Sequence, residues 1–297
     1  MKVFYSDKYT IPLPPDHRFP MVKYKLVKEG LLNEGILSID EIFEPHLATQ
    51  NELLLAHTAS YVNDVFLGTL NANAIRKIGF PWSEGLVQRS QATVGGAIDA
   101  AYEALQNGIS GNLAGGTHHA FADSGEGYCV FNDLAVVCQL LLSTNEVQRI
   151  AIIDLDVHQG NGNAAILGQN PQVFIFSMHG EKNYPFRKVA STLDIGLPDG
   201  TSDEGFLFEL KKYLPSVFSF NPELVLYQAG VDPLFSDALG RLSLSHEGLV
   251  ERDRLVLAEC RKRSIPISLA LGGGYAKPIE DTVKAHLGTY RVAKELF

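Results

Sequence analysis

Apolar residues along this chain recur with two different periods. Five short runs, Leu113-Ala114, Ile150–Ile153, Val173–Phe176, Leu224–Tyr227 and Ile265–Leu271, have the continuous apolar character of strands buried on both faces. Between them the spacing turns helical. Val87, Val94, Ile98, Ala101 and Leu105 form an amphipathic stripe ending near Gly108, and Leu134, Val137, Leu140 and Leu141 form a second. Residues 203–219, 245–262 and Lys277 to Leu296 predict three more helices, while 68–85 and 180–203 read as long loops. Strands alternating with helices predict an α/β fold with a mainly parallel sheet covered on both faces, and no linker divides residues 1–297.

In such folds ligands bind beyond the carboxyl ends of the strands. That is where this chain carries its polar chemistry. Gly115-Gly116-Thr117-His118-His119 follows the Leu113 run, and Asp154-Leu155-Asp156-Val157-His158 follows the Ile150 run. Ser177-Met178-His179-Gly180, Gln228-Ala229-Gly230-Val231-Asp232-Pro233 and Gly272-Gly273-Gly274-Tyr275 follow the other three. Carboxylates are costly to desolvate unless something positive meets them, so a buried strand ending in Asp-x-Asp-x-His calls for a cation. At a spacing of two, Asp156 and His158 can grip one metal while Asp154 points at a neighbour. A lone Asp or His at a strand end is more often a polar cap on a loop; three together are not.

Composition narrows the field. The formal net charge is −9, and the densest basic cluster, Arg261-Lys262-Arg263, reads as the end of a helix beside its negative dipole pole. This balance argues against nucleic-acid binding. It would assist capture of a basic peptide without specifying one. Cys129, Cys138 and Cys260 form no CxxC pair and read as reduced thiols, which with the lack of any 20-residue apolar run predicts a soluble cytoplasmic protein.

A catalytic zinc keeps three protein ligands and one open position. Asp156 and His158 supply two, and Asp232 is the best third, although alone it reads equally as a turn initiator before Pro233. The same donors suit ferrous iron. Metal-assisted amide hydrolysis also needs a base for the attacking water and an acid for the leaving amine, which two oriented histidines such as His118 and His119 can provide. Tyr275 can donate to the oxyanion of a tetrahedral intermediate; its bland alternative is an aromatic packed at a helix start.

Taken in order and at these intervals, Gly-Gly-Thr-His-His, Asp-Leu-Asp-Val-His-Gln-Gly-Asn-Gly, Ala-Gly-Val-Asp-Pro and Leu-Gly-Gly-Gly-Tyr resemble the zinc-dependent histone deacetylase family, from about Arg18 to the C-terminal helix. The His-Gln-Gly-Asn-Gly variant is most similar to its class IV branch and bacterial relatives. The resemblance implies a three-layer arginase/deacetylase-type fold and hydrolysis of an acyl-lysine peptide or small acylated amine. It implies zinc on Asp156, His158 and Asp232, with His119 matching the general base, His118 its electrostatic partner and Tyr275 the residue polarising the carbonyl. Gly127, Tyr128 and Tyr184 match the walls of the substrate tunnel, Gly273 a further substrate-binding position, and Arg18 an arginine beside an internal cavity behind the metal. Asp154, Ser177, Met178 and the backbone of Asp156 and His158 match a structural potassium site.

One departure matters. Many relatives carry aspartate where this chain has Asn161. With His119 as the partner of Asn161 and His118 that of Asp154, a neutral amide should hold the His119 pKa lower. A metal-holding module without turnover is the competing reading, yet no ligand, histidine or tyrosine is missing. A two-manganese ureohydrolase needs further carboxylates, and after His158 the chain gives Gln159 and Gly160.

Overall fold

The computed structural model describes residues 1–297. Its strands are β1 (Val3–Phe4), β2 (Ile42–Phe43), β3 (Ile109–Asn112), β4 (Ile150–Asp154), β5 (Val173–Gly180), β6 (Leu193–Leu197), β7 (Leu224–Gln228) and β8 (Ile267–Ala270). They form one sheet in the order β2-β1-β3-β8-β7-β4-β5-β6, every pair parallel. The helices are α1 (Lys23–Asn33), α2 (Gln50–Leu53), α3 (Ala59–Leu67), α4 (Ala72–Ile78), α5 (Glu84–Asn107), α6 (Asp133–Ser143), α7 (Asn161–Leu167), α8 (Asp203–Ser219), α9 (His246–Arg263) and α10 (Ile279–Leu296). They pack in two sets, α5 with α3 and α6, and α10 with α1 and α9, while α8 joins α9. The central strands β4 and β7 are buried along their whole length, which explains their unbroken apolar runs.

Three expectations need correction. The strand placed at Leu113-Ala114 is Ile109–Asn112. Its polar residues hid it, and their burial is compensated: the Ser110 hydroxyl donates to the Lys2 carbonyl at 2.8 Å, and Tyr9 donates to Asn112 Oδ1 at 2.7 Å. Residues 68–85 are not a loop throughout, because α4 lies within them. It is capped by the Asn71 side chain and ended by Gly79 at φ +85°, a left-handed conformation glycine adopts without strain. Residues 180–203 contain β6, an edge strand whose Leu193, Ile195 and Leu197 alternate with polar positions. β1 and the edge strand β2 are two residues each, too short to register as periodicity.

Strand register sets the site. Asp154 lies opposite both Ser177 and Gln228, and Gln228 opposite Ala270. The carboxyl ends of β3, β8, β7, β4 and β5 therefore finish along one rim of the sheet, and the loops beyond them converge.

Candidate active site

Asp156, His158 and Asp232 meet with their donor atoms within 4.8 Å of one another. Asp156 and Asp232 are essentially inaccessible, at 1% and 0% exposure, so their charges require a partner. Backbone amides hold both: Gly273 N–H donates to Asp156 Oδ2 at 2.8 Å, and Val157 N–H to Asp232 Oδ1 at 2.8 Å. His158 Nδ1 lies 3.1 Å from Asp156 Oδ1 and 3.0 Å from Asp232 Oδ2. Burial opposes a charge on this imidazole, but hydrogen bonds and attraction from the two carboxylates raise its pKa to about 10. Burial and the neighbouring Asp156 charge push Asp232 up to about 7. A proton on Nδ1 thus bridges two desolvated carboxylates. Two oxygens and one imidazole nitrogen around a shared proton are a donor set that fits a divalent ion in its place.

Close approach explains the glycines after His158. A Cβ on Gly160 would stand 2.6 Å from Asp154 Oδ2, and one on Gly162 would stand 2.3 Å from the Ala120 carbonyl. Only without side chains can the start of α7 lie against the loop that carries the paired histidines. Gly162 N–H donates to the His118 carbonyl at 2.9 Å, joining them. Asp133 pins the beginning of that loop by accepting from the backbone of Gly116 (2.7 Å) and Thr117 (2.8 Å).

His118 and His119 face one chamber with ring centroids 4.1 Å apart. His118 Nδ1 pairs with Asp154 Oδ2 at 2.8 Å, and His119 Nδ1 with Asn161 Oδ1 at 2.7 Å. Their protonation preferences diverge. Burial lowers both, but for His118 the charges of Asp154 and Asp156 win and raise its pKa to about 9. For His119 burial, with the positive His118 and His158, outweighs the Asn161 hydrogen bond and the Asp156 charge and holds it well below 6.5. One imidazole stays charged and the other neutral, with Nε2 available as an acceptor.

Tyr275 lines both this chamber, about 40 Å³, and the wider bowl outside it. Burial, then the Asp232 and Asp156 charges, hold its hydroxyl well above 10, so it remains a donor. Asp237, on no motif, fixes its backbone: Oδ2 accepts from Tyr275 N–H at 2.6 Å and Oδ1 from Leu239 and Gly240, both at 2.8 Å. Gly127, Tyr128 and Tyr184 line the bowl, and the Tyr184 ring meets that of His119 edge-on at 5.0 Å.

One expected position moves, that of Arg18. Gly273 lines the inner chamber, and its N–H serves Asp156. Arg18 is exposed near Tyr128 and does not line the chamber; the buried cations there are Lys23 and Arg89. Lys23 donates to the Gly272 carbonyl at 3.1 Å, and Arg89 to the Tyr24 hydroxyl at 2.9 Å. A lysine on an N-terminal helix and an arginine on α5 carry no local signal of that destination. Ser177 stands beside Asp154 by register, but its hydroxyl is engaged with His179 Nδ1 at 2.9 Å; Met178 is fully buried next to it.

Sequence reading also missed Glu126. Its Oε1 accepts from Asn161 Nδ2 at 2.7 Å, placing a carboxylate one residue beyond the amide that orients His119.

At the strand ends of a parallel sheet the chain thus brings together what metal-assisted hydrolysis calls for: a donor set for a divalent ion, a neutral imidazole and a phenol donor. Residues 17–289 match the histone deacetylase domain. The chain is 44% identical to an uncharacterized protein of Picosynechococcus sp. over 99% of both, and 33% identical to histone deacetylase 2 of Arabidopsis thaliana over 93% of this chain and 75% of that one. It is 30% identical to the acetoin utilization protein AcuC of Staphylococcus xylosus, over 87% of this chain and 73% of that protein. The crystal structure of an HDAC homolog complexed with SAHA superimposes with a TM-score of 0.82 at 28% identity, covering 98% of this chain and 84% of the other. The chain belongs to the histone deacetylase family, and it is a deacetylase of the hydrolase class.

Proposed function

We propose that this deacetylase hydrolyses the amide of an acylated amine, acetyl-lysine foremost, with one divalent ion held by Asp156, His158 and Asp232. The observation that carries the reading is that His118, His119, Tyr275 and these three residues all line one chamber. Zinc is the ion proposed. When bound, it supplies Lewis-acid polarisation and a more acidic water.

The remaining steps belong to the protein. His119, neutral and bonded at Nδ1 to Asn161, accepts the proton of the attacking water at Nε2 while the water oxygen bonds to the acyl carbon. Tyr275 donates to the acyl oxygen as negative charge develops on it. Positive His118, held by Asp154, stabilises that charge from beneath. The C–N bond then breaks, the proton taken by His119 goes to the departing amine, and the acid product remains. Gly127, Tyr128 and Tyr184 enclose the chain bearing the acylated amine.

Asp154, Ser177 and Met178, with the backbone of Asp156 and His158, would hold a potassium ion that steadies the β4 and β5 ends. A cytoplasmic location fits the three free, buried cysteines, and no helix is long and apolar enough to cross a membrane. Purified protein loaded with zinc should deacetylate an acetyl-lysine peptide, followed by mass spectrometry. A zinc-replete sample leaving both acetyl-lysine peptides and other acylated amines intact would end this reading.

A further inference from the structure

The bowl outside the catalytic chamber encloses about 410 Å³, and its walls contradict the charge of the chain. The protein as a whole has 34 acidic and 25 basic residues. The bowl is lined by Arg76, Lys77, Lys182 and Arg241 and by no Asp or Glu. Arg241 pairs with Asp199 at 3.0 Å, and Lys182 lies 3.9 Å from the same carboxylate, so two cations share one anion. Arg76 donates only to the neutral Asn73 amide, at 3.0 Å. Neither Arg76 nor Lys77 has a carboxylate within 4.0 Å.

These charges come from two sides. Arg76 and Lys77 end α4, while Lys182 and Arg241 lie on the loops after β5 and β7. The α4 side is fixed to the site: Gly127 N–H donates to the Lys77 carbonyl at 3.1 Å and Tyr128 N–H to the Ile78 carbonyl at 2.8 Å. The end of α4 that carries Arg76 and Lys77 is thus bonded through its backbone to the Gly127–Tyr128 segment lining the bowl. A field of one sign around a cleft concentrates ligands of the opposite sign.

Resting on the acyl-amine reading above, we infer that this enzyme selects acylated lysines flanked by aspartate and glutamate, and discriminates against polycationic substrates such as acylated polyamines and Lys/Arg-rich tails. The acidic surface elsewhere repels the same anionic peptides, leaving the bowl as their landing place.

Matched acetyl-lysine peptides with Asp, Ala or Lys at the flanking positions test this on the zinc-loaded enzyme. At low salt, kcat/KM should be about tenfold higher for the Asp-flanked than the Lys-flanked peptide. The gap should shrink at 0.5 M NaCl, where the Debye length falls to about 4 Å. Arg76→Glu with Lys77→Glu, and separately Lys182→Glu, should lower kcat/KM for the Asp peptide and raise it for the Lys peptide. Variants in which both values fall together, or an enzyme indifferent to flanking charge, would overturn the inference. Fluorescence anisotropy with the same peptides reads the preference without turnover. Preferential binding of the Asp peptide with no hydrolysis of any peptide would sink the acyl-lysine reading and leave the charge selection standing; equal binding would sink the selection itself.

Discussion

The amide of Asn161 donates from Nδ2 to Glu126 and accepts at Oδ1 from His119 Nδ1, both at 2.7 Å. A carboxylate only accepts, so Glu126 fixes which end of the amide faces it. That end being Nδ2, Oδ1 must face His119, and the imidazole must carry its proton on Nδ1. Were the amide turned over, Nε2 would hold the proton and could not act as a base. A negative charge is thus present one link beyond the amide that orients His119.

This arrangement predicts coupling of opposite sign. Glu126→Gln, which can offer the amide a donor as readily as an acceptor, should lower kcat/KM by about tenfold, within the range expected for neighbours in one network. In an Asn161→Asp background two carboxylates would confront each other, so the same Glu126→Gln change should raise activity. A double-mutant cycle on steady-state rates checks this, and simple additivity would refute it. The double variant should also shift the acidic limb of kcat/KM to higher pH, because an unopposed carboxylate favours the charged form of His119.

Tyr275→Phe keeps the ring and removes the donor. Loss of one oxyanion donor costs roughly 10²–10³ in kcat, and the metal ligands are untouched. Turnover should fall by that factor while metal content, measured on the same sample, stays at the wild-type level.

Removing the ion should matter for stability as well as rate. Without it, the buried carboxylates of Asp156 and Asp232 keep their backbone amide donors but share one proton on His158 Nδ1 in place of a divalent charge. Chelation should abolish activity and lower Tm, and zinc should restore both in the wild type. Asp232→Asn should show no zinc-dependent rise in Tm at concentrations that saturate the wild type.

His57 gives a pH dependence independent of the metal. It is 4% exposed, bonds the Phe121 carbonyl through Nδ1 at 3.0 Å, and accepts Asn132 N–H at Nε2 at 2.9 Å. Both nitrogens are committed to the neutral form, and burial lowers its pKa from 6.5 to about 4. The unfolded chain therefore binds a proton more readily across that interval. The stabilisation is full above pH 6.5 and is lost as pH falls towards 4, to a total of about 3 kcal/mol. Urea melts at pH 7 and 4.5 should show a smaller loss in His57→Gln than in wild type. An NMR titration placing His57 near its ordinary value would contradict the assignment.

The parallel α/β order, and the residues that meet in one chamber at its strand ends, were legible in the amino-acid sequence. β4 and β7 are apolar runs, each ending in its own motif, and Asp154, Asp156 and His158 lie within five consecutive positions. Such patterns are local, and burial of the strand forces the charge at its end to find a partner. Only side-chain packing put Lys23 and Arg89, and not Arg18, on the wall of the chamber. It also decided that Glu126 reaches Asn161, that His57 braces Asn132, and that cations from α4 and two distant loops ring the mouth. These partners are joined through space by side-chain length and loop path, which hydrophobic period does not encode. Their polar residue types look like ordinary surface until the fold buries or surrounds them.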